Sequence, residues 1–208
     1  VTEGDIVKKG DLLFDIDPID AKTELQQSQM RFASLSIKSI RLKSEVQGKT
    51  PDFPDDLIEI APSSISTELA LYRARLDDKN TKTAILNQRR IQKLNEINGL
   101  KMQFESAVIS QNLIKKQIST LEPLVKAGLA PETRLLSLQR EEEAENAKAT
   151  SAESGQEGLS AALEEINEQL AAANQSYLTS ALTDLSSIEG EMAELAAGIP
   201  ALEQRVER

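Results

Sequence analysis

Residues 104–141, FESAVISQNLIKKQISTLEPLVKAGLAPETRLLSLQRE, decide how this chain reads. Phe104, Ala107, Gln111, Ile114, Ile118, Leu121 and Val125 recur at alternating steps of three and four. That spacing lines one face of a helix and builds a heptad seam. The pattern stops at Ala127-Gly128-Leu129-Ala130-Pro131. Gly128 can take the positive φ that ends a helix, and Pro131 suits the first turn of the next one. A link this short joins helices that run antiparallel as neighbours. The stretch therefore predicts a hairpin, with Leu121 and Val125 near Leu135 and Leu138.

Outward from that reversal, an ascending arm covers 66–126 and starts near Ser66 or Thr67. Its middle is more polar, with Leu86, Leu94, Ile97 and Leu100 as the apolar positions. Pro123 lacks an N–H and clashes with the preceding turn, which predicts a kink or early fraying. The tip is 127–131, and the returning arm covers 132–208. Leu159, Leu163, Ile166, Leu170, Ala173 and Tyr177 keep the heptad. Ala181 and Leu185 each come four residues on, and Ile188, Met192, Leu195, Ile199, Leu202 and Val206 resume it. Such a stutter locally relaxes a left-handed supercoil. Gly155, Gly158, Gly198 and Pro200 are its weak points. Arms of this length would reach roughly 90 Å at about 1.5 Å per residue. A hairpin of that reach spans distance.

Before the hairpin, residues 20–47 read as a first helix. Leu25, Ser28, Phe32, Leu35, Ser39, Leu42 and Val46 form its seam, with Asp20 as N-cap and Gly48 as the stop. Residues 48–65 are a Pro-rich acidic loop whose Phe53, Leu57, Ile58 and Ile60 need something to pack on. Residues 1–19 differ again. Gly4-Asp5 and Gly10-Asp11 are turn dipeptides, and Leu13-Phe14-Asp15-Ile16-Asp17 alternates as a strand does. The fold class is mainly α: a long antiparallel α-helical coiled-coil hairpin with an additional first helix, plus a partial β domain at the N-terminus. The chain starts mid-pattern at Val1 and stops in a helical pattern at Arg208, so it reads as a fragment, with any membrane anchor outside it.

Composition narrows the function classes. Aromatic residues make up 3% of the chain, with no Trp, Cys or His, which suits narrow helical seams over a thick core. Without His and Cys the common zinc ligands and nucleophilic dyads are missing. No apolar run is long enough to span a bilayer. A net charge of −10 argues against nucleic acid as a partner. That charge is uneven: residues 66–126 hold eleven Lys/Arg against six Asp/Glu, and residues 131–208 hold five against sixteen. Solvated faces account for much of it, and two oppositely charged arms side by side are also compatible with it.

Residues 1–19 resemble the N-terminal half of a lipoyl-type β-domain, with Asp20 where a carrier lysine would stand, so the carrier chemistry is absent. ELALYRARLDDKNTKTAILNQRRIQKLNEINGLKMQ (68–103) and LEPLVKAGLAPETRLLSLQRE (121–141) resemble, in order, the second helix and hairpin tip of the haemolysin D-like periplasmic adaptors, the membrane fusion proteins of type I secretion. The resemblance implies an adaptor, anchored in the inner membrane and working in the periplasm. It would join an inner-membrane ABC transporter to a TolC-type outer-membrane channel for an exported protein substrate, as a hexamer. It implies no catalysis and no cofactor. Many such adaptors carry an Arg, a Leu four residues on and a Ser seven further at the tip. Those places hold Thr120, Leu124 and Pro131 here, so only the Leu matches. The candidate partner-binding residues at the tip are Leu124, Gly128, Leu129, Pro131 and Arg134. The alternatives are an adaptor of a drug-efflux pump, a carrier domain with a coiled-coil arm, and a non-export coiled-coil scaffold.

Other motifs carry less. Glu141-Glu142-Glu143 point about 100° apart on a helix and cannot converge on one ion. Asp55-Asp56 lacks further ligands. Gly4 and Gly10 lack the strand-loop-helix context of a phosphate loop. Leu124 and Leu129 fit either a cap on the hairpin's own core or a partner contact.

Overall fold

The computed structural model describes residues 19–206. Four helices occupy them: α1 (Ile19–Gln47), α2 (Asp55–Ile60), α3 (Pro62–Lys126) and α4 (Glu132–Val206). No strand occurs among the described residues, and the half-lipoyl reading of 1–19 lies outside them except at residue 19. The chain divides into two units. One holds Lys79–Asn174, and the other holds Val1–Asp78 with Gln175–Arg208.

In the first unit, α3 and α4 form an antiparallel pair. Gln111 bonds Asn146 at 3.3 Å, and Lys115 lies 3.6 Å from Glu142, so residue numbers fall on one helix as they rise on the other. All seven seam positions from Phe104 to Val125 turn inward, with Ala107 and Leu138 buried. On α4, Ala149, Ala152 and Ile166 are buried on the facing stripe. Higher up α3 the seam corrects the expected one. Lys93 is half-buried and Leu94 is 41% exposed, because the three-four phase set by Leu86, Ile97 and Leu100 runs through 93. Lys93 resolves the conflict by pairing with Glu96 at 2.7 Å. It holds that carboxyl below the ordinary range, first by its hydrogen bond and with help from Gln92.

The second unit is a three-helix arrangement around α1. Ser34 meets Ser64 at 3.3 Å, Arg41 meets Glu68, and Glu45 lies 3.1 Å from Arg75, so α1 and the start of α3 run parallel. Glu24 meets Arg205 at 3.3 Å and Lys43 meets Glu189 at 2.9 Å, so α4 runs against both. A parallel neighbour requires the intervening segment to retrace about 20 Å of α1. Residues 48–61 do this, and α2 packs on α1 with Phe53 and Leu57 half-buried. Ile58 and Ile60 stay exposed, contrary to the expected packing of all four.

Two boundaries also differ from expectation. α3 starts at Pro62 and not near Ser66, because proline is preorganised for a first helical position. The hydroxyls of Ser66 and Thr67 bond back to the Ser63 carbonyl and so cap nothing. Asp20 lies inside the first turn of α1, where a carboxylate still favours the helix N-terminus, and is not its N-cap. At the other end Gly48 takes φ 67°, its N–H bonds Glu45 O, and Lys49 N–H bonds Ser44 O. That is a Schellman stop.

The core of this unit joins Leu42, Ala181 and Ile188, with Leu35, Val46, Leu185 and Met192 around them. The stutter at Ala181 and Leu185 falls here. A locally straightened α4 presents a wider face than a strict heptad does. Here it faces two helices: α3 through Arg75 to Ser180 at 3.3 Å, and α1 through Leu42. A second buried face of α1, Ala33, Ile37, Arg41 and Glu45, steps by four. Arg41 is 1% exposed and pairs with Glu45 and Glu68. Arg75 extends the network to Asp184 at 3.7 Å and lies 5.8 Å from the Tyr177 ring centroid. Arg75 Nε and Glu45 Oε2 are 3.1 Å apart but meet at an angle that makes no hydrogen bond, so their attraction is that of an ion pair. Burial, and then the Glu45 charge, raise the pKa of Tyr177.

Candidate functional site at the hairpin tip

The reversal is built by a second Schellman motif. Gly128 takes φ 73°, its N–H bonds Val125 O at 2.9 Å, and Leu129 N–H bonds Leu124 O at 2.8 Å. The Leu124 and Val125 carbonyls in the last turn of α3 are thus satisfied without solvent. Nothing lies within 4 Å of where a Cβ on Gly128 would stand. Its requirement is therefore one of backbone angle alone. Gly128→Ala is expected to cost about 1–2 kcal/mol in thermal unfolding, from the left-handed conformation. An unchanged melting temperature would show that the turn relaxes freely.

Pro123 sits inside α3, which continues to Lys126, so the expected early fraying does not occur. Ala127 N–H bonds Pro123 O at 3.1 Å, and Lys126 reaches Glu122 at 2.8 Å. That hydrogen bond, more than the Lys126 charge, holds the exposed Glu122 carboxyl below its ordinary range. On the far side Arg134 N–H bonds Pro131 O at 3.1 Å, opening α4.

The five sequence candidates separate into two groups. Leu124 and Arg134 line one groove with Lys116, Gln117, Thr120, Leu121 and Leu138. Gly128, Leu129 and Pro131 lie exposed at the reversal, away from that groove, with Leu129 77% exposed. Lys116 and Gln117 were not singled out in the sequence, and Thr120 was named only as the residue standing where related tips carry an arginine. Their signal is spacing: 116, 120 and 124 step by four, as do 117 and 121. The groove floor sits over the hairpin's own seam, where Leu138 is 3% exposed. Leu138→Ala is expected to cost about 2–3 kcal/mol. Leu121→Ala should cost less, because Leu121 is only half-buried. Equal costs in urea unfolding would mean the two sites collapse differently from this picture.

Chemically the tip can bind but offers no reacting groups. Among the described residues no cluster of three His, Cys, Asp or Glu could hold a metal, and no helix is long and apolar enough to cross a membrane. What the tip presents is an exposed leucine on a hydrogen-bonded turn, beside a partly apolar groove lined also by Lys116 and Arg134.

Two long antiparallel helices with such a tip define a helical-hairpin protein. The chain belongs to the family described as AprE, long alpha-helical hairpin, whose model matches residues 21–205. It is 25% identical over 147 residues to the type I secretion system membrane fusion protein PrsE of Rhizobium meliloti (strain 1021). That match covers 68% of this chain and 34% of the relative, so it spans about a third of that protein's length. The fold is also that of the soluble domain of LipC, a membrane fusion protein of a type I secretion system, with a TM-score of 0.85. There the identity is 15%, and 96% of each chain is covered.

Proposed function

We propose that this chain is the hairpin part of a periplasmic adaptor that links an inner-membrane ABC transporter to a TolC-type outer-membrane channel in one-step protein secretion. The observation that carries the reading is the family match, which runs over both arms and through the tip. The similarity to a type I secretion membrane fusion protein over 147 residues supports the same role. The adaptor acts by assembly and docking, and it needs no cofactor. Its copies stand side by side as a hexamer around the export path, held by an inner-membrane anchor.

The tip residues Leu124, Gly128, Leu129, Pro131 and Arg134 would meet the channel. Arg134 and Thr120 share one groove. A cation is therefore present beside the place where related tips carry an arginine, supplied from the other helix.

The test is deletion of the gene, with the culture medium and cell fractions compared by mass spectrometry. One or a few secreted proteins should disappear from the medium and remain in the cytoplasm, with no periplasmic form, and return on complementation. An unchanged set of secreted proteins would overturn the export role.

A further inference from the structure

Within the Lys79–Asn174 unit, both helices of the hairpin carry glycine at one level. Gly99 is the one glycine in the 65 residues of α3. Three contacts fix what lies across from it. Gln111 bonds Asn146, Lys115 meets Glu142, and a Cβ on Gly155 would stand 2.8 Å from a methyl of Leu100. Gly99 is therefore level with residues 156–158 of α4, within a turn of both Gly155 and Gly158. Inside a helix, glycine weakens the backbone relative to alanine. Packing explains Gly155, because Leu100 fills the space its Cβ would take. It explains neither Gly99 nor Gly158, since nothing lies within 4 Å of a Cβ built at either.

The surroundings do not compensate. Residues 151–158, SAESGQEG, hold no apolar side chain larger than alanine. Ser154-Gly155 is the kind of pair at which helices kink. On α3 the seam less than two turns away already takes in Lys93. Toward the tip an open groove begins, with Met102, Gln103, Ser106, Ala144, Lys148 and Ser151 among its walls. The glycines share its side of the hairpin. Gly99 and Ser106 are seven residues apart, as are Ser151 and Gly158, and Lys148 and Gly155. Seven residues are two turns along one face. Side chains crowd on the inner side of a bend, and glycine has none to crowd. The open groove leaves that side room to close.

We propose that the hairpin has a bending joint at the level of Gly99, Gly155 and Gly158, where the part that carries the tip tilts toward the groove side. The two helices bend together, so the seam from Phe104 to Val125 stays closed. The inference rests on the adaptor reading for its use, which is to aim the tip at the channel. The joint itself is a property of the hairpin.

Gly99→Ala with Gly158→Ala should stiffen the joint without strain, because both positions are helical and have open space. Gly190→Ala is the control, equally open and in the other unit. The 208 residues hold no cysteine, so full-length protein with Ile85→Cys and Leu113→Cys takes spin labels within them only at those sites. Both sites are exposed and lie on the face of Gly99, one on each side of it at equal spacing. A straight helix would hold their backbones about 42 Å apart. Diluted with unlabelled protein, the native hairpin should give a broad distance distribution with a component several ångströms shorter than the straight form. The alanine pair should lose the short component, and Gly190→Ala should keep it. Hydrogen exchange at 95–103 and 151–162 should slow about tenfold in the alanine pair, the combined effect of two such replacements in a helix, and stay unchanged at 109–120. A single narrow native distance, a distribution indifferent to the alanine pair, or slowing that spreads evenly to 109–120 overturns the joint. Secretion by the alanine pair should fall at an unchanged adaptor level. Normal secretion with the short component gone overturns the aiming role. Loss of the short component in a protein whose deletion leaves secretion unchanged removes the adaptor reading and supports the joint.

Discussion

Replacing Arg41 with Met is expected to destabilise the unit around α1 by about 3–5 kcal/mol, the cost of breaking a buried ion pair from one side. Arg41 is 1% exposed, and it bonds both Glu45 and Glu68. The two acids would not suffer alike. Glu68 keeps 16% of its side chain in solvent and can hydrate, whereas the Glu45 side chain has none. The cost therefore falls on Glu45, left with Arg75 at 3.1 Å and no hydrogen bond between them. Methionine fills the volume, so a cavity contributes little. Adding Glu45→Gln to Arg41→Met should recover part of the loss by removing the stranded charge. Urea unfolding of the full chain, with hydrogen exchange followed on residues 33–46, measures this. Exchange should accelerate there and leave 104–125 nearly unchanged, because those residues belong to the other unit. A loss below about 1 kcal/mol, the scale of an exposed pair, would mean that water reaches the network.

This network also marks where the sequence stops being readable. The hairpin was legible because its signals are local. Steps of three and four put Phe104 through Val125 on one face, and Gly128 before Pro131 admits few backbone paths. The second buried face of α1 was not legible. Arg41 and Glu45 carry opposite charges at four-residue spacing, a pattern common on exposed helix sides and one that gives no sign of burial. Only the arrival of α3 running parallel turns them inward, and that depends on residues 48–61 retracing α1. A loop's direction leaves almost no trace in its composition. Phe53 and Leu57 hinted at a surface to pack on without saying which. Leu94 shows the same limit in miniature. Its hydrophobicity nominated it for the seam, but the phase set by its neighbours excluded it and took in Lys93. At the tip, the residues on the turn were found by their chemistry. The groove beside them was missed because it needs side chains from both helices, and a single helix pattern shows only one wall.

Leu129→Asp is expected to abolish docking while sparing the fold. Leu129 is 77% exposed, so an aspartate there is hydrated in the free protein and stability should change by no more than about 0.5 kcal/mol. The backbone bond from residue 129 to Leu124 O survives, because any residue but proline donates it. In a docked tip the balance reverses. A carboxylate pressed into an apolar helical groove loses its water and gains no partner, a cost large enough to reduce binding on the order of 100-fold. Leu129→Met keeps volume and polarity and should behave as the native protein. Secretion, adaptor level and crosslinking to the channel are scored together for both variants in full-length protein. Normal secretion with normal crosslinking in Leu129→Asp would refute the tip assignment. Loss of the adaptor itself would place Leu129 in the hairpin's own core, against its exposure. Loss of crosslinking at an unchanged protein level is the outcome expected if the tip docks on the channel. A leucine held outward by two backbone hydrogen bonds and a left-handed glycine adds little to the stability of the chain that carries it, and its apolar surface is buried only when a partner covers it.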